Sequence, residues 1–180
     1  MIPLVTVFVL AASAVASSSS DAQNPTASFK EAALEAHNIE RDEFGSPPLQ
    51  WSEKLAAEAQ IWAETLASEG RMRHASNDER VGAGENLWMG PSGVFSAHVI
   101  VGTFIAEKRH FAPGVFPNIT STGKWRDVGH YSQVVWPETQ ELGCAVGRND
   151  TNEFWVCRYW PAGNKYGVDL KPAQQSEIAR

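Results

Sequence analysis

The two cysteines of the chain, Cys144 and Cys157, bracket a cluster of turn formers, Asn149-Asp150-Thr151-Asn152. Asn and Asp side chains hydrogen-bond nearby backbone and tolerate turn conformations, so residues 142–146 and 154–159 read as two strands of a hairpin. Folding the chain about the middle of that turn sets Cys144 directly opposite Cys157. Cross-strand neighbours have Cβ atoms about 4.5–5.5 Å apart, which small adjustments bring to disulfide geometry. Closing so short a loop contributes roughly 3 kcal/mol in the chain-entropy description. Such a bridge persists in an oxidising compartment, whereas a cytosolic chain keeps its thiols reduced. Whatever else this chain builds must pack around that hairpin.

The preceding sequence is helical in pattern. Ser28-Phe29-Lys30-Glu31 has the form of a capping box, and Phe29, Ala33, His37 and Arg41 follow four apart on one helical face. Gly45-Ser46-Pro47-Pro48 ends that helix. Ser52 caps a second one, with Leu55, Ala59, Trp62 and Leu66 on its apolar side and Gly70 just past its end. A third is expected from about Ser92, with Val94, Val101 and Ile105 on its apolar side and Glu107 near its end. Residues 82–88 read as a strand. Helices first and a hairpin last argue for an α+β layered fold, and 180 residues without an internal repeat suit one core.

The first residues read differently. Residues 4–15 are apolar but too short to span a bilayer, which takes about 20 residues. They run into Ala14-Val15-Ala16, the small-x-small pattern of signal-peptide cleavage, although no Lys or Arg precedes them. The expectation is a signal peptide over 1–16, a serine-rich flexible leader over 17–28, a domain over 29–170 and a tail over 171–180. An uncleaved anchor or a buried N-terminal strand is the alternative. A net charge of −6 with no Lys/Arg run disfavours a nucleic-acid partner. Asn118 and Asn149 stand in N-glycosylation triplets.

Five histidines occur, at 37, 74, 98, 110 and 130, with neither a His-Glu-x-x-His nor a Cys-x-x-Cys spacing among them. Glu85 and Glu107 each sit beside apolar residues, as half-buried carboxylates do. Spacing alone yields these candidates and no site.

Gly129-His130-Tyr131-Ser132-Gln133-Val134-Val135-Trp136 closely resembles the Gly-His-Tyr-Thr-Gln-Val-Val-Trp signature of the CAP superfamily, which includes cysteine-rich secretory proteins, insect venom antigen 5 and plant pathogenesis-related proteins of the first group. A second signature is similar to Val156-Cys157-Arg158-Tyr159-Trp160-Pro161-Ala162-Gly163-Asn164. His37-Asn38-Ile39-Glu40-Arg41 and Gly84-Glu85-Asn86-Leu87 resemble the family's first helix and a strand. Together the four motifs, in family order, cover about 29–170.

The resemblance implies a three-layer α-β-α sandwich with a central cleft lined by His74, His130, Glu85 and Glu107, with Phe104 where the family usually carries Trp. Two neutral imidazoles can hold Zn²⁺ weakly, with carboxylates orienting them. Without metal, Glu85 or Glu107 beside a histidine is a candidate general base; as a third reading, the four form a polar cluster that only fixes the layers. The function expected is a secreted, monomeric binding or signalling module for an extracellular ligand or protein, without a transmembrane segment after signal cleavage. The alternatives are a metal-assisted extracellular hydrolase, peptidase-like, and a sterol or lipid carrier using the loop 111–125 with Phe111, Val115, Phe116, Ile119 and Trp125. Lacking the cysteine-rich C-terminal module of animal members, the chain is not expected to regulate ion channels. His37 and Arg41 are expected to be structural, Ser132 to cap or pack, Trp136, Trp155 and Trp160 to lie in the core, and Tyr131 to edge the cleft.

Overall fold

The computed structural model of the protein describes residues 25–173. The expected signal peptide, residues 17–24 of the leader and residues 174–180 of the tail lie outside the described residues. Helix α1 spans Pro25–Phe44 and buries Ala33, His37 and Arg41 on one face. It begins three residues before Ser28, so the expected capping box falls inside the helix; Pro25 opens the first turn, where a missing N–H leaves nothing unpaired. Strand β1, Gln50–Trp51, leads into α2, Glu53–Glu69, which buries Leu55, Ala59, Trp62 and Leu66 and ends at Gly70 in the left-handed region, φ 65°. Ser52 precedes α2 as expected but its hydroxyl caps nothing. Its backbone instead stays extended and donates to the Leu142 carbonyl.

The short α3, Asn77–Arg80, is followed by β2, Gly84–Pro91, which starts two residues later than expected and runs three further. Past Pro91 the pairing persists, Ser92 N donating to the Thr151 carbonyl. Helix α4 therefore spans Ala97–Ile105, beginning at Ser96 rather than near Ser92, with Val94 exposed and Ile100, Val101 and Phe104 buried. Glu107 lies in a separate 3-10 turn, Ala106–His110. Then come β3, Gly114–Val115, a 3-10 turn at Trp125–Val128, α5, Gly129–Val134, and the hairpin of β4, Glu141–Arg148, and β5, Asn152–Trp160, with β6, Asp169–Leu170, pairing back to β3.

The main sheet has the order β1-β4-β5-β2, parallel only between β1 and β4. Side chains alternate across it. Leu87, Ala145, Phe154 and Val156 meet α2, while Leu142, Cys144, Trp155, Cys157 and Tyr159 meet α1 and α4. These are the three layers of an α-β-α sandwich. Gly143 and Gly147 let α2 lie directly on β4: a Cβ at either would collide with the α2 backbone, at Ala56 and at Ala63. Trp136 and Trp155 are buried, but Trp160 is 45% exposed, contrary to the core position expected of it. As the last residue of β5, opposite Glu141, it stands where the sheet runs out from under α2.

The turn closes as its residues predict. Asn149 Oδ1 accepts from the amides of Thr151 and Asn152, and its Nδ2 donates to the Ala67 carbonyl at the end of α2. Cys144 pairs with Cys157 in register and the two are joined. Thiol titration of denatured, unreduced protein should therefore find only traces of thiol; two reactive thiols per chain would refute the bridge.

In the loop 111–125, Phe116 and Ile119 are fully buried, packed with Phe104, Val134, Trp136 and Leu170, and Phe111 and Trp125 lean against the same cluster. The loop covers the core. Among the described residues no helix is long and apolar enough to cross a membrane.

Candidate functional site

The site rests on a buried polar floor set by α1. His37 Nδ1–H donates to the Ala33 carbonyl at 2.7 Å, so its Nε2 accepts from the Tyr159 hydroxyl at 2.8 Å. Asn86 Nδ2 donates both to that hydroxyl and to the His130 carbonyl. A chain of hydrogen bonds thus runs from α1 through β5 and β2 to the backbone of a site histidine. Burial, chiefly, and the nearby Arg41 charge hold the His37 pKa down at about 4, against the opposing pull of the Ala33 carbonyl. Arg41 is fully buried among carbonyls: Nε donates to Pro47, Nη1 to Val134 and Trp136, Nη2 to Thr139, all at 2.7–2.9 Å. Burial lowers its pKa to about 10, so it is still a cation at neutral pH. With Ser46, whose hydroxyl donates to the Val135 carbonyl, it satisfies the end of α5.

His74 lies between α2 and α3. Upstream, Trp62 Nε1 donates to the Arg73 carbonyl while the Arg73 guanidinium covers the Trp62 ring. Downstream, Ser76 and Glu79 close a capping box on α3. Held from both sides, His74 directs Nδ1–H to Glu85 Oε1 at 2.6 Å, and the same oxygen accepts from the Ala75 amide. The Glu85 side chain is completely buried, and Arg158 Nη2 lies 3.2 Å from its Oε2, an ion pair without hydrogen-bond alignment.

His130 sits in the first turn of α5, stacked on Phe104 with ring centroids 5.0 Å apart. Its Nδ1–H donates to Glu107 Oε1 at 2.7 Å. Glu107 Oε2 accepts from the His130 and Tyr131 amides, so this carboxylate, 23 residues upstream, also caps α5. The four expected residues are thereby brought together as two dyads. His74, Glu85 and His130 line one cleft of about 600 Å³, and Glu107 stands behind His130.

Several other residues shape that cleft. Gln133, buried, donates to Thr139 Oγ1 and accepts from the Gly163 amide; a Cβ on Gly84 would strike its side chain. Asn164, at φ 54°, accepts from Ser132 Oγ and donates to the Gly129 carbonyl. Ser132 thus packs, as expected. Tyr131 does not edge the cleft: it is buried against Phe44 and Phe111 with its hydroxyl on Glu40, and burial next to that carboxylate raises its pKa. One helical step from His130, about 100° around α5, it is turned into the core. Trp125 is the aromatic lining the cleft. Gln133, Asn86, Asn164 and Arg158 were not singled out by the sequence reading, although each lies inside one of its motifs.

In both dyads the ring nitrogen without a partner among the described residues is Nε2, and a neutral imidazole donating through Nδ1 carries its lone pair there. Among the described residues no three His, Cys, Asp or Glu side chains stand close enough to share an ion. A cation in this cleft would therefore have at most the two imidazoles as protein donors, with water completing its shell, and would be held weakly rather than in a closed structural site.

A sequence model of the "Cysteine-rich secretory protein family" matches residues 34–159. Pathogenesis-related protein 1 of Arabidopsis thaliana is 36% identical over 77% of this chain and 79% of its own length. The Golgi-associated plant pathogenesis-related protein 1 of Homo sapiens is 32% identical over 76% of this chain and 84% of its own. Among solved structures, that of NaASP2 with Zn²⁺ has a similar fold, with a TM-score of 0.64 at 22% identity over 81% of this chain and 85% of that one.

Proposed function

This chain belongs to the cysteine-rich secretory protein (CAP) family, and from that premise we propose that it works outside the cell as a binding module whose cleft takes a divalent cation such as Zn²⁺ at His74 and His130. The observation carrying this is the matched pair of dyads: each imidazole gives Nδ1–H to a glutamate and keeps Nε2 unpaired. Carboxylates placed in this way fix the tautomer and strengthen the ring as a ligand. When bound, the ion would supply a centre of positive charge with coordination positions open to a ligand. His74 and His130 would hold it, Glu85 and Glu107 would orient the rings, and Arg158 would stand against Glu85 from behind. The related structure of NaASP2 with Zn²⁺ supports the choice of metal.

Binding is favoured over hydrolysis by the glutamates themselves. Both oxygens of Glu107 accept hydrogen bonds, and Glu85 is completely buried, with Oε1 bonded to His74 and the Ala75 amide and Oε2 set against Arg158, so neither is placed to take a proton from water. The disulfide is compatible with an extracellular site of action.

Calorimetric titration of Zn²⁺ into wild type, His74→Ala and His130→Ala should show one weak site, with each variant roughly 10-fold weaker or more. Glu107→Gln should weaken it less, and chelation should leave the far-UV circular dichroism unchanged because the fold has its own core. Equal affinity in wild type and both histidine variants would overturn the reading.

A further inference from the structure

The chain has a net charge of −6, so its cations readily find acids. Arg71, Arg73, Arg148 and Arg158 each lie within ion-pair distance of a glutamate, and Arg41 is satisfied by carbonyls. Among the described residues that leaves three arginines with no carboxylate partner: Arg80, Arg109 and Arg126. Two of them, Arg80 and Arg126, line the His74–His130 cleft. Arg80 gives Nη2 to Asn77, but its Nε is buried without any partner. The Arg126 guanidinium rests 5.2 Å above the Trp125 ring and makes no ion pair.

Nothing acidic in the lining answers them. Glu85 is the single carboxylate there, and its charge is already met by His74, an amide and Arg158. Arg158, almost fully buried behind it, has Nε and Nη1 unpaired as well, so positive charge lies on both sides of that carboxylate. Glu85 and Glu107 are each committed to a histidine, so the guanidinium donors of Arg80 and Arg126 are the unmet charges of the cleft and favour ligands of the opposite sign. Guanidinium forks match carboxylate and phosphate oxygens.

We propose that the cleft's ligand carries an anionic oxygen group, a carboxylate or phosphate, held by Arg80 and Arg126 beside the imidazoles. This rests on reading the cleft as the protein's binding site, but not on the metal. The unpaired guanidinium donors exist whether or not an ion is present, and a cation at the histidines would add to the same attraction. Trp125 gives the ligand an apolar wall next to Arg126.

The test uses phenyl phosphate and benzoate, which present the two anionic groups on the same ring, and benzyl alcohol, which presents none. Each is titrated into metal-free protein held in a chelator, followed by NMR at the His74, His130 and Asn164 signals. Saturable shifts are expected with one or both anions and not with the alcohol, and the better anion identifies the ligand's group. Binding should weaken about 10-fold in the Arg80→Gln/Arg126→Gln double variant, and in part in Arg126→Gln, whose side chain is exposed. It should weaken with added salt and stay unchanged in Arg109→Gln. No saturable shift with either anion, equal shifts with the alcohol, or full affinity in folded double variant would overturn the proposal. Because all of this is read without metal, failure of the zinc titration and failure of anion binding are separate results.

Discussion

Replacing Arg41 with leucine is expected to destabilise the fold by about 3–5 kcal/mol, read as a lower midpoint in urea. One side chain serves four backbone carbonyls, on Pro47, Val134, Trp136 and Thr139, in a place water does not reach. Leucine removes the cation and its burial penalty, which offsets part of the loss, but leaves dry acceptors that cost about 1–3 kcal/mol each. Lysine, with a single nitrogen, cannot span the four acceptors and should recover only a fraction. The α5 carbonyls depend on this contact, so Arg41→Leu should also weaken the proposed zinc binding at His130 wherever the variant remains folded. A loss under about 1 kcal/mol would mean that the carbonyls find other donors.

The second large effect is acid destabilisation through His37. Its pKa is about 4 in the folded protein and 6.5 in the unfolded chain. Between those values the unfolded chain binds a proton that the native state refuses, so stability rises with pH across the window. The contribution is whole above about 6.5, falls as pH drops, and is gone by about 4. At about 1.4 kcal/mol per pH unit, the full span is worth about 3 kcal/mol, of which about 2 is lost by pH 5. The cause is chiefly burial, with the Arg41 charge nearby; in addition Nε2, now accepting from Tyr159, would become a second donor facing the hydroxyl. Glu69, held near 2 by Arg73, loses its contribution only below the ordinary carboxylate range, which separates the two windows. Urea midpoints at about pH 7 and pH 5 should differ strongly in wild type and much less in His37→Gln. Equal pH dependence in the two would exclude His37 as the source.

Both effects come from residues that the sequence placed one helical turn apart, His37 and Arg41, and that were expected to be structural. Their partners were not legible, since they lie 93 to 122 residues away along the chain for Val134 and Tyr159. The same division runs through the site. His130 and Glu85 stand in motifs that name them, but that Glu107 spends one oxygen on two α5 amides depends on the turn Ala106–His110 swinging under the helix. Phe104 occupies the place of the family's usual tryptophan and stacks on His130.

Local chemistry determined the hairpin, its turn and its covalent rung, the faces of α1 and α2, and the motifs that carry the histidines, because turn residues and helical periodicity act over neighbours in sequence. Errors gathered at element ends. Ser92 has the composition of a helix start but is drawn into strand pairing with Thr151, and Ser52, which does precede α2, gives its amide to Leu142 and leaves its hydroxyl out of the cap; no local pattern contains these long-range hydrogen bonds. Tyr131 and Trp160 went the wrong way for the same reason, since an aromatic's burial depends on which layer covers it. Only the tertiary structure decided that Glu85 and Glu107 divide between the two histidines, and that Arg80 and Arg126, in an acidic chain, meet in one cleft without acids of their own. Pairing of charges is settled by distance in space, and the fold sets that distance.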